Sequence, residues 1–442
     1  MRQFPKVFTC TILLSSLLIF ISCKKEGTNT PPPAVNNTLT AYAGADQTIS
    51  LPTDSVQLNG SGTGIITSYK WSQMSGANQP INSAPSTANT KIKGLVLGSY
   101  EFRLKVTDAS GDSAVDYVVI NVVPPEVLNG LVRVGQLSIK RSNVAAVAAG
   151  NKIFFAGGIL PITSQTLSPS SRVDIYDIIT KKWSTAELSE PRSDIGAVAV
   201  GNKVLFASGI NKFTDDYWAD VQFSTRVDIY DIITNKWTTT EIPGTGESFR
   251  DGFYATAAAA GNKAIFCDGL FGDVYDVINN SWISYTLSTS RDNFASSSLG
   301  NKIFIAGNGT KNIDVFDVST NLWTIQSLSE SRGMIRAASL NNKVFFAGGE
   351  INENLSDKVD IYDNNTETWS VAHLSRAAAL AGAVSSGNRM FFFGGTVVDI
   401  YDTSANAWSV FQLDAPLDGA VFISAGGSAY ATDGNLVWQI QL

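Results

Sequence analysis

Residues 172–183 read RVDIYDIITKKW, and residues 226–237 read RVDIYDIITNKW. Altered copies stand at GDVYDVINNSW (272–282), NIDVFDVSTNLW (312–323), KVDIYDNNTETW (358–369) and VVDIYDTSANAW (397–408). Within each copy, VDIYD alternates as a half-buried strand does, and the aspartate opens a turn that leads to a tryptophan. Recurrence at roughly 40–55 residues marks stacked β-units, none of which can bury its apolar face alone.

Three further signals flank every copy. An apolar run ends in a turn that tolerates positive φ: Gly150-Asn151, Gly201-Asn202, Gly261-Asn262, Gly300-Asn301, Asn341-Asn342, Gly387-Asn388 and Gly426-Gly427. A hydrophobic strand follows, as in KIFFAGG (152–158) or KVFFAGG (343–349), usually ending at glycine. After the tryptophan comes an outer strand such as STAEL or SVAHL. Gly-Gly after a hydrophobic strand, then Tyr-Asp, then Trp six residues on, resembles the Kelch motif across residues 130–442. Ser208 and Asp268 replace the first glycine, and Phe316 replaces the tyrosine. The resemblance implies an all-β Kelch-type β-propeller, and the seven turns count it as seven-bladed, preceded by a small immunoglobulin-like β-sandwich. The last unit, ending LVWQIQL, supplies three strands before the chain ends, and LVRVGQLSIKR (131–141) reads as the fourth. Six blades is the alternative count, with the C-terminal unit as a cap. Trp183 is expected to pack on the glycine pair. Asp177, Asp231, Asp276, Asp317, Asp363 and Asp402 read as turn-formers that accept backbone N–H bonds, not as a metal cluster.

Upstream, residues 41–124 form a smaller unit. SYEFRLKVTD puts Tyr100, Phe102, Leu104 and Val106 on one face and Glu101, Arg103 and Lys105 on the other. Trp71 supplies a large core side chain. AGADQTISLP, ITSYKWSQMSG and GSYEFRLKVTDASG resemble a PKD-type, immunoglobulin-like β-sandwich, which implies a spacer or adhesion module without catalysis. Residues 125–129 read as a hinge.

The N-terminus reads as an export signal. Arg2 and Lys6 precede an uncharged apolar run, and IFISC resembles a bacterial lipobox ending at Cys23. Residues 1–22 are then a lipoprotein signal peptide, Cys23 carries lipid, and the polar, proline-containing stretch 23–40 is a flexible tether. This predicts an exported protein held to the bacterial cell envelope, most simply the outer membrane, since Lys24 stands where an inner-membrane retention signal would put aspartate.

A formal net charge of −7 argues against a nucleic-acid partner. One histidine, His373, defeats Ser-His-Asp and multi-histidine metal arrangements, and no phosphate-binding glycine loop or EF-hand occurs. No cofactor and no metal are expected. In propeller geometry the 2–3 and 4–1 loops share one face. There the 4–1 loops place Arg141, Arg192, Arg250, Arg291, Arg332 and Arg376, mostly as Leu-Ser-x-x-Arg, with Asp194 and Asp251 beside two of them. Kelch relatives hold acidic groups with arginines near this position, but the Kelch consensus itself contains the arginine, so a structural role stands beside the binding one. The 2–3 loop INKFTDDYWADVQFSTR (210–226) adds Phe213, Tyr217 and Trp218, a stacking platform for a sugar or peptide, or aromatics packed under the loop. The function expected is non-enzymatic recognition of a glycan or protein, with a sugar-acid mutarotase as the enzymatic alternative.

Overall fold

The computed structural model describes residues 38–51, 53–123, 127–128, 130–161, 167–213, 221–243, 256–291 and 294–442, and among them every regular element is a strand. The N-terminal unit packs a four-stranded sheet, in the order Gln47–Ser50, Ser113–Val123, Gly98–Asp108, Ile66–Ser75, against the strands Ser55–Asn59, Asn89–Lys93 and Ile81–Asn82. Their shared core holds Trp71, Tyr100, Phe102, Leu104 and Val106, the alternating set expected from the sequence. Trp71 Nε1 donates to the Ala88 carbonyl (3.1 Å), so the indole is buried without losing its hydrogen bond.

The remaining chain builds nine sheets among the described residues, seven of them blades and two short hairpins, Ile210–Phe213 with Val221–Phe223 and Glu350–Ile351 with Asn354–Leu355. Blade 1 shows the plan: Ala145–Ala149 innermost, then Lys152–Ala156, Ser170–Asp177 and Lys182–Arg192 outermost, all antiparallel. Blades 2 to 6 start from the inner strands Gly196–Val200, Thr256–Ala260, Phe294–Leu299, Arg336–Leu340 and Gly382–Ser386. Blade 7 takes Val421–Ala425, Ser428–Thr432 and Leu436–Ile440 from the C-terminus, and its outer strand, Leu131–Gln136, from the other end of this domain. The register runs from Leu131 opposite Ile440 to Gln136 opposite Leu436, with a bulge between Arg133 and Gly135. Each inner strand touches the next, and blade 7 touches blade 1, so the ring is closed and leaves no sheet edge between first and last blades.

Side chains of the VDIYD strands fill the spaces between blades. Val173 and Ile175 join Phe206 and Tyr230 of blade 2 in one cluster, while Tyr176 meets Tyr430 and Val437 of blade 7 in another. Phe154 lies 5.3 Å from the Tyr230 ring, and the equivalent Phe304–Tyr362 pair is at 5.1 Å. Strands buried on both faces need this continuous apolar content.

On the lower face, the turn aspartates behave as read. Asp177 Oδ1 accepts the Ile179 and Thr180 N–H groups (3.0 and 2.8 Å), and its Oδ2 accepts from Asn151 of the neighbouring hairpin turn (2.7 Å). The Thr180 backbone bond leads in holding this carboxyl below the usual range. The glycine pair is a correction. Trp183 packs on Tyr176, Phe155 and Gly135, not on Gly157-Gly158. The pair instead makes room for backbone: a Cβ at Gly158 would lie 2.5 Å from the Ser142 carbonyl oxygen, and one at Gly349 2.3 Å from that of Gly333.

Candidate functional site

Loops between outer and next inner strands form the upper face, and three of its six candidate arginines turn away from solvent. Arg141, Arg192 and Arg332 are 1%, 0% and 0% exposed. Each reaches forward into the following blade-strand VDIYD and meets its first aspartate: Arg141 with Asp174, Arg192 with Asp228, Arg332 with Asp360. Arg332 Nη1 also donates to the Gly348 and Lys358 carbonyls (2.8 and 2.7 Å), and Arg192 repeats this with Ser208 and Arg226 (2.9 and 2.6 Å). The other carboxylate oxygen takes a backbone N–H from the preceding outer strand: Ser138 to Asp174 (2.9 Å), Ser189 to Asp228 (2.9 Å), Ser329 to Asp360 (2.8 Å). Burial pulls these guanidinium groups down from their usual value, and the aspartates push back. Leu-Ser-x-x-Arg plus Val-Asp is therefore a latch between segments. These three arginines are corrected from ligand contacts to structural ones, because their Nη atoms are taken by a carboxylate and carbonyls, and the unbonded Nε of each is sealed from solvent where no ligand reaches it.

Arg376 stands differently. It follows Ser375 directly instead of three residues later, is exposed, and donates to the Gly394 carbonyl, leaving Asp399 with the Ser375 N–H alone among these latch contacts (2.7 Å). Arg291 ends the outer strand of blade 3, opposite Gly269. Arg250, Asp251, Tyr217, Trp218 and Cys23 lie outside the described residues. Phe213 is also a correction: it is 6% exposed and packs with Ile159 and Ile210, so it gives no stacking face.

Asp194 does reach the mouth. A hollow of about 350 Å³ is lined by Asn143 to Ala145 of blade 1, Asp194 and Ile195 before blade 2, Arg336 of blade 5, Ala381 before blade 6, and Gly419 to Val421 at blade 7. Asn143 Nδ2 donates to Asp194 Oδ1 (3.0 Å) and the Ser193 hydroxyl also acts on this carboxylate, while Oδ2 is buried without a hydrogen bond of good geometry among the described residues. Burial pushes this carboxyl up to about 6. On blades 5 and 6, Arg336 Nε donates to the Ala381 carbonyl (3.3 Å) and Nη1 to that of Ile335 (3.3 Å). Burial alone pulls this guanidinium down, and among the described residues no carboxylate is paired with it. Arg336 lies on an inner strand, outside the loops that carry the sequence candidates. Its signal is positional: it starts RAASL where the equivalent inner strands read AAVAA, GAVAV, TAAAA and GAVSS.

Below the hollow the same strands line a further space of about 310 Å³. At one level it carries Ala148, Ala199 and Ala259 on blades 1 to 3, then Ser298, Ser339 and Ser424 on blades 4, 5 and 7. Ser424 Oγ and Ser385 Oγ of blade 6 lie 3.2 Å apart. One arc of this lumen is methyl and the other hydroxyl. Among the described residues no three His, Cys, Asp or Glu side chains gather as a metal site, and His373 pairs with Asp357 (3.0 Å) away from the mouth.

Residues 43–122 match the family model of a PKD domain, and residues 140–187 match that of the Kelch motif. The chain carries a PKD-type domain and a Kelch propeller. The Kelch-like protein terF of Aspergillus terreus is 28% identical over 119 residues, 27% of this chain and 24% of terF. Kelch repeat protein B10 of vaccinia virus strain Ankara is 30% identical over 104 residues, 23% of this chain and 63% of B10. The human dyslexia-associated protein KIAA0319 is 32% identical over 143 residues, 30% of this chain and 13% of that protein. The matched segments thus span less than two thirds of each of these relatives. The solved structure of YjhT aligns with 63% of this chain and 99% of its own at 14% identity, with a TM-score of 0.45.

Proposed function

We propose that this chain is an exported, lipid-anchored and non-enzymatic binding protein, whose Kelch propeller receives a glycan or protein ligand at its upper mouth. One observation carries the reading: Arg336 and Asp194 line a single hollow, and among the described residues the first has no carboxylate partner and the second has one oxygen without a hydrogen bond of good geometry. Buried polar groups left so are costly unless a partner arrives. A ligand that brings an acceptor to Arg336 and a hydroxyl, amide or ammonium donor to Asp194 satisfies both. The lumen beneath gives such a group depth, with methyl and hydroxyl walls that suit a slender chain end. Export and anchoring rest on the apolar run before Cys23.

The test is a screen of the full chain on glycan and peptide arrays, with Arg336→Ala, Asp194→Asn and Arg376→Ala beside it. Loss of a charge-assisted hydrogen bond is expected to weaken binding about 10–100-fold for the first two variants. Arg376→Ala, on the same face but outside the hollow, should bind normally. Absence of any ligand, or binding indifferent to both changes, overturns the assignment.

A sugar-acid mutarotase is favoured by a single feature, the Asp194 carboxyl near 6, which can accept and release a proton around neutrality. Anomer exchange of sugar acids measured by NMR, lost in Asp194→Asn and kept in Arg376→Ala, would move the assignment to that enzyme.

A further inference from the structure

The lower face carries an unexplained asymmetry. In blades 1 to 6 the turn after VDIYD is built alike, its aspartate accepting the N–H two residues on: Ile179, Ile233, Ile278, Ser319, Asn365 and Ser404. Serine and asparagine thus make the same turn with the same bond, so nothing in the fold requires isoleucine there. Yet blades 1, 2 and 3 place isoleucine at this tip, and the three side chains are 73%, 73% and 75% exposed. They project from hydrogen-bonded turns in three adjacent blades. The same turns of blades 1 and 2 add exposed Lys181, Lys182 and Lys236, in a chain whose net charge is −7.

We propose that the lower face of blades 1 to 3 docks on an anionic lipid bilayer, with Ile179, Ile233 and Ile278 entering the interface and the three lysines meeting lipid phosphates. Three tips spread over three turns are far short of the roughly 800 Å² per partner of a stable protein interface. A bilayer instead yields to separate apolar tips and gains from each lysine close to its charge. The turn aspartates Asp177, Asp231 and Asp276 are offset by Lys152, Lys203 and Lys263 beside them, so Lys181, Lys182 and Lys236 remain as local positive charge, which on an acidic protein selects an anionic surface. Docked this way, the mouth with Arg336 points away from the membrane and stays open.

Hydrogen–deuterium exchange of the full chain tests this, with phosphatidylcholine vesicles against vesicles containing phosphatidylglycerol. The expected result is slowed exchange confined to the turns 177–182, 231–236 and 276–281, present with the anionic lipid and lost at high salt. The variant I179S/I233N/I278S, which borrows the residues of blades 4 to 6, should lose that protection. K181Q/K182Q/K236Q should raise the anionic lipid concentration needed by about a hundredfold, from about fivefold per lysine. Equal protection of all six turns, no protection, or protection that grows with protein concentration without vesicles (a second copy on this face) each overturns the proposal.

Discussion

A buried arginine is costly unless its fork finds partners, and Arg332 meets most of the requirement: both Nη atoms are bonded, while the buried Nε has Glu330 at 3.8 Å and no hydrogen bond among the described residues. Its guanidinium, 0% exposed, takes Asp360 and two carbonyls of blade 5, so removing it would strand a carboxylate inside the protein. Arg332→Ala is expected to destabilise the propeller by about 3–5 kcal/mol. Arg332→Lys should recover less than half, since a point charge cannot span carboxylate and carbonyls together. Urea denaturation followed by tryptophan fluorescence measures both, with Arg376→Ala close to wild type. Asp194 runs the other way. Its folded carboxyl is raised to about 6 from 3.8, so the folded state binds more protons than the unfolded one between those values. Its contribution to stability is therefore lost as pH rises through 6 and regained as pH falls toward 4. Asp194→Asn is expected to stabilise the protein at pH 7 by about 1–2 kcal/mol and to flatten that window. The pairing of gained stability with lost ligand would mark Asp194 as a residue kept for function. The repeat made the arginines legible, but repetition is also what a structural latch looks like, and only the aspartates facing them decide between roles. Arg336 was hard to read for the opposite reason: its meaning lies in breaking a pattern of small inner-strand residues that sequence spacing alone does not assign to a lumen.

Among elements, the glycines of the hairpin turns and those of the glycine pairs share positive φ but have two physical roles. Gly349 has φ +92° and would place a Cβ 2.3 Å from the Gly333 carbonyl oxygen, where the preceding blade's crossing loop runs. Gly387 has φ +56° with open space around its Cβ position. Gly387→Ala is expected to cost about 1 kcal/mol, the left-handed backbone penalty alone. Gly349→Ala must also move backbone and should cost at least about 3 kcal/mol. Thermal unfolding of the two variants gives the comparison, and equal losses would refute the crossing-loop explanation. Strands, turns and the sandwich core were readable because each follows from local alternation and positive-φ chemistry: Tyr100 to Val106, or Asn341 with φ +47° in a turn that elsewhere uses glycine. What local pattern could not supply was the neighbour. The partner of the glycine pair, the burial of Phe213 against Ile159, and the aspartates latched across segments are all contacts between units, set by how one blade's loop crosses the next.

At the scale of the whole molecule, blades 1 to 6 are knit from strands close in sequence, and only the outer strand of blade 7 comes from far away. Leu131–Gln136 pairs with Leu436–Ile440, and Arg141, just beyond it, latches to Asp174 of blade 1. Pairing so distant must be closed last and at the largest entropic cost, which makes this seam the place where unfolding is expected to begin. Val132 and Gln439 are register partners across it, within the Cα spacing that a disulfide accepts. In the double variant Val132→Cys/Gln439→Cys, oxidation should raise the unfolding temperature, with an upper limit of about 5 kcal/mol from closing so long a loop, and reduction should return it. Calorimetry under oxidising and reducing conditions reads the difference directly. Identical unfolding in the two states would mean that another blade opens first and that the seam is not the weak joint. The same variant bears on the mouth. Arg336 and Asp194 belong to blades 5 and 2, so their spacing is kept by the intact ring and by no local contact between them. A ligand held by both should therefore stay bound in the oxidised protein to temperatures at which the reduced form has already released it.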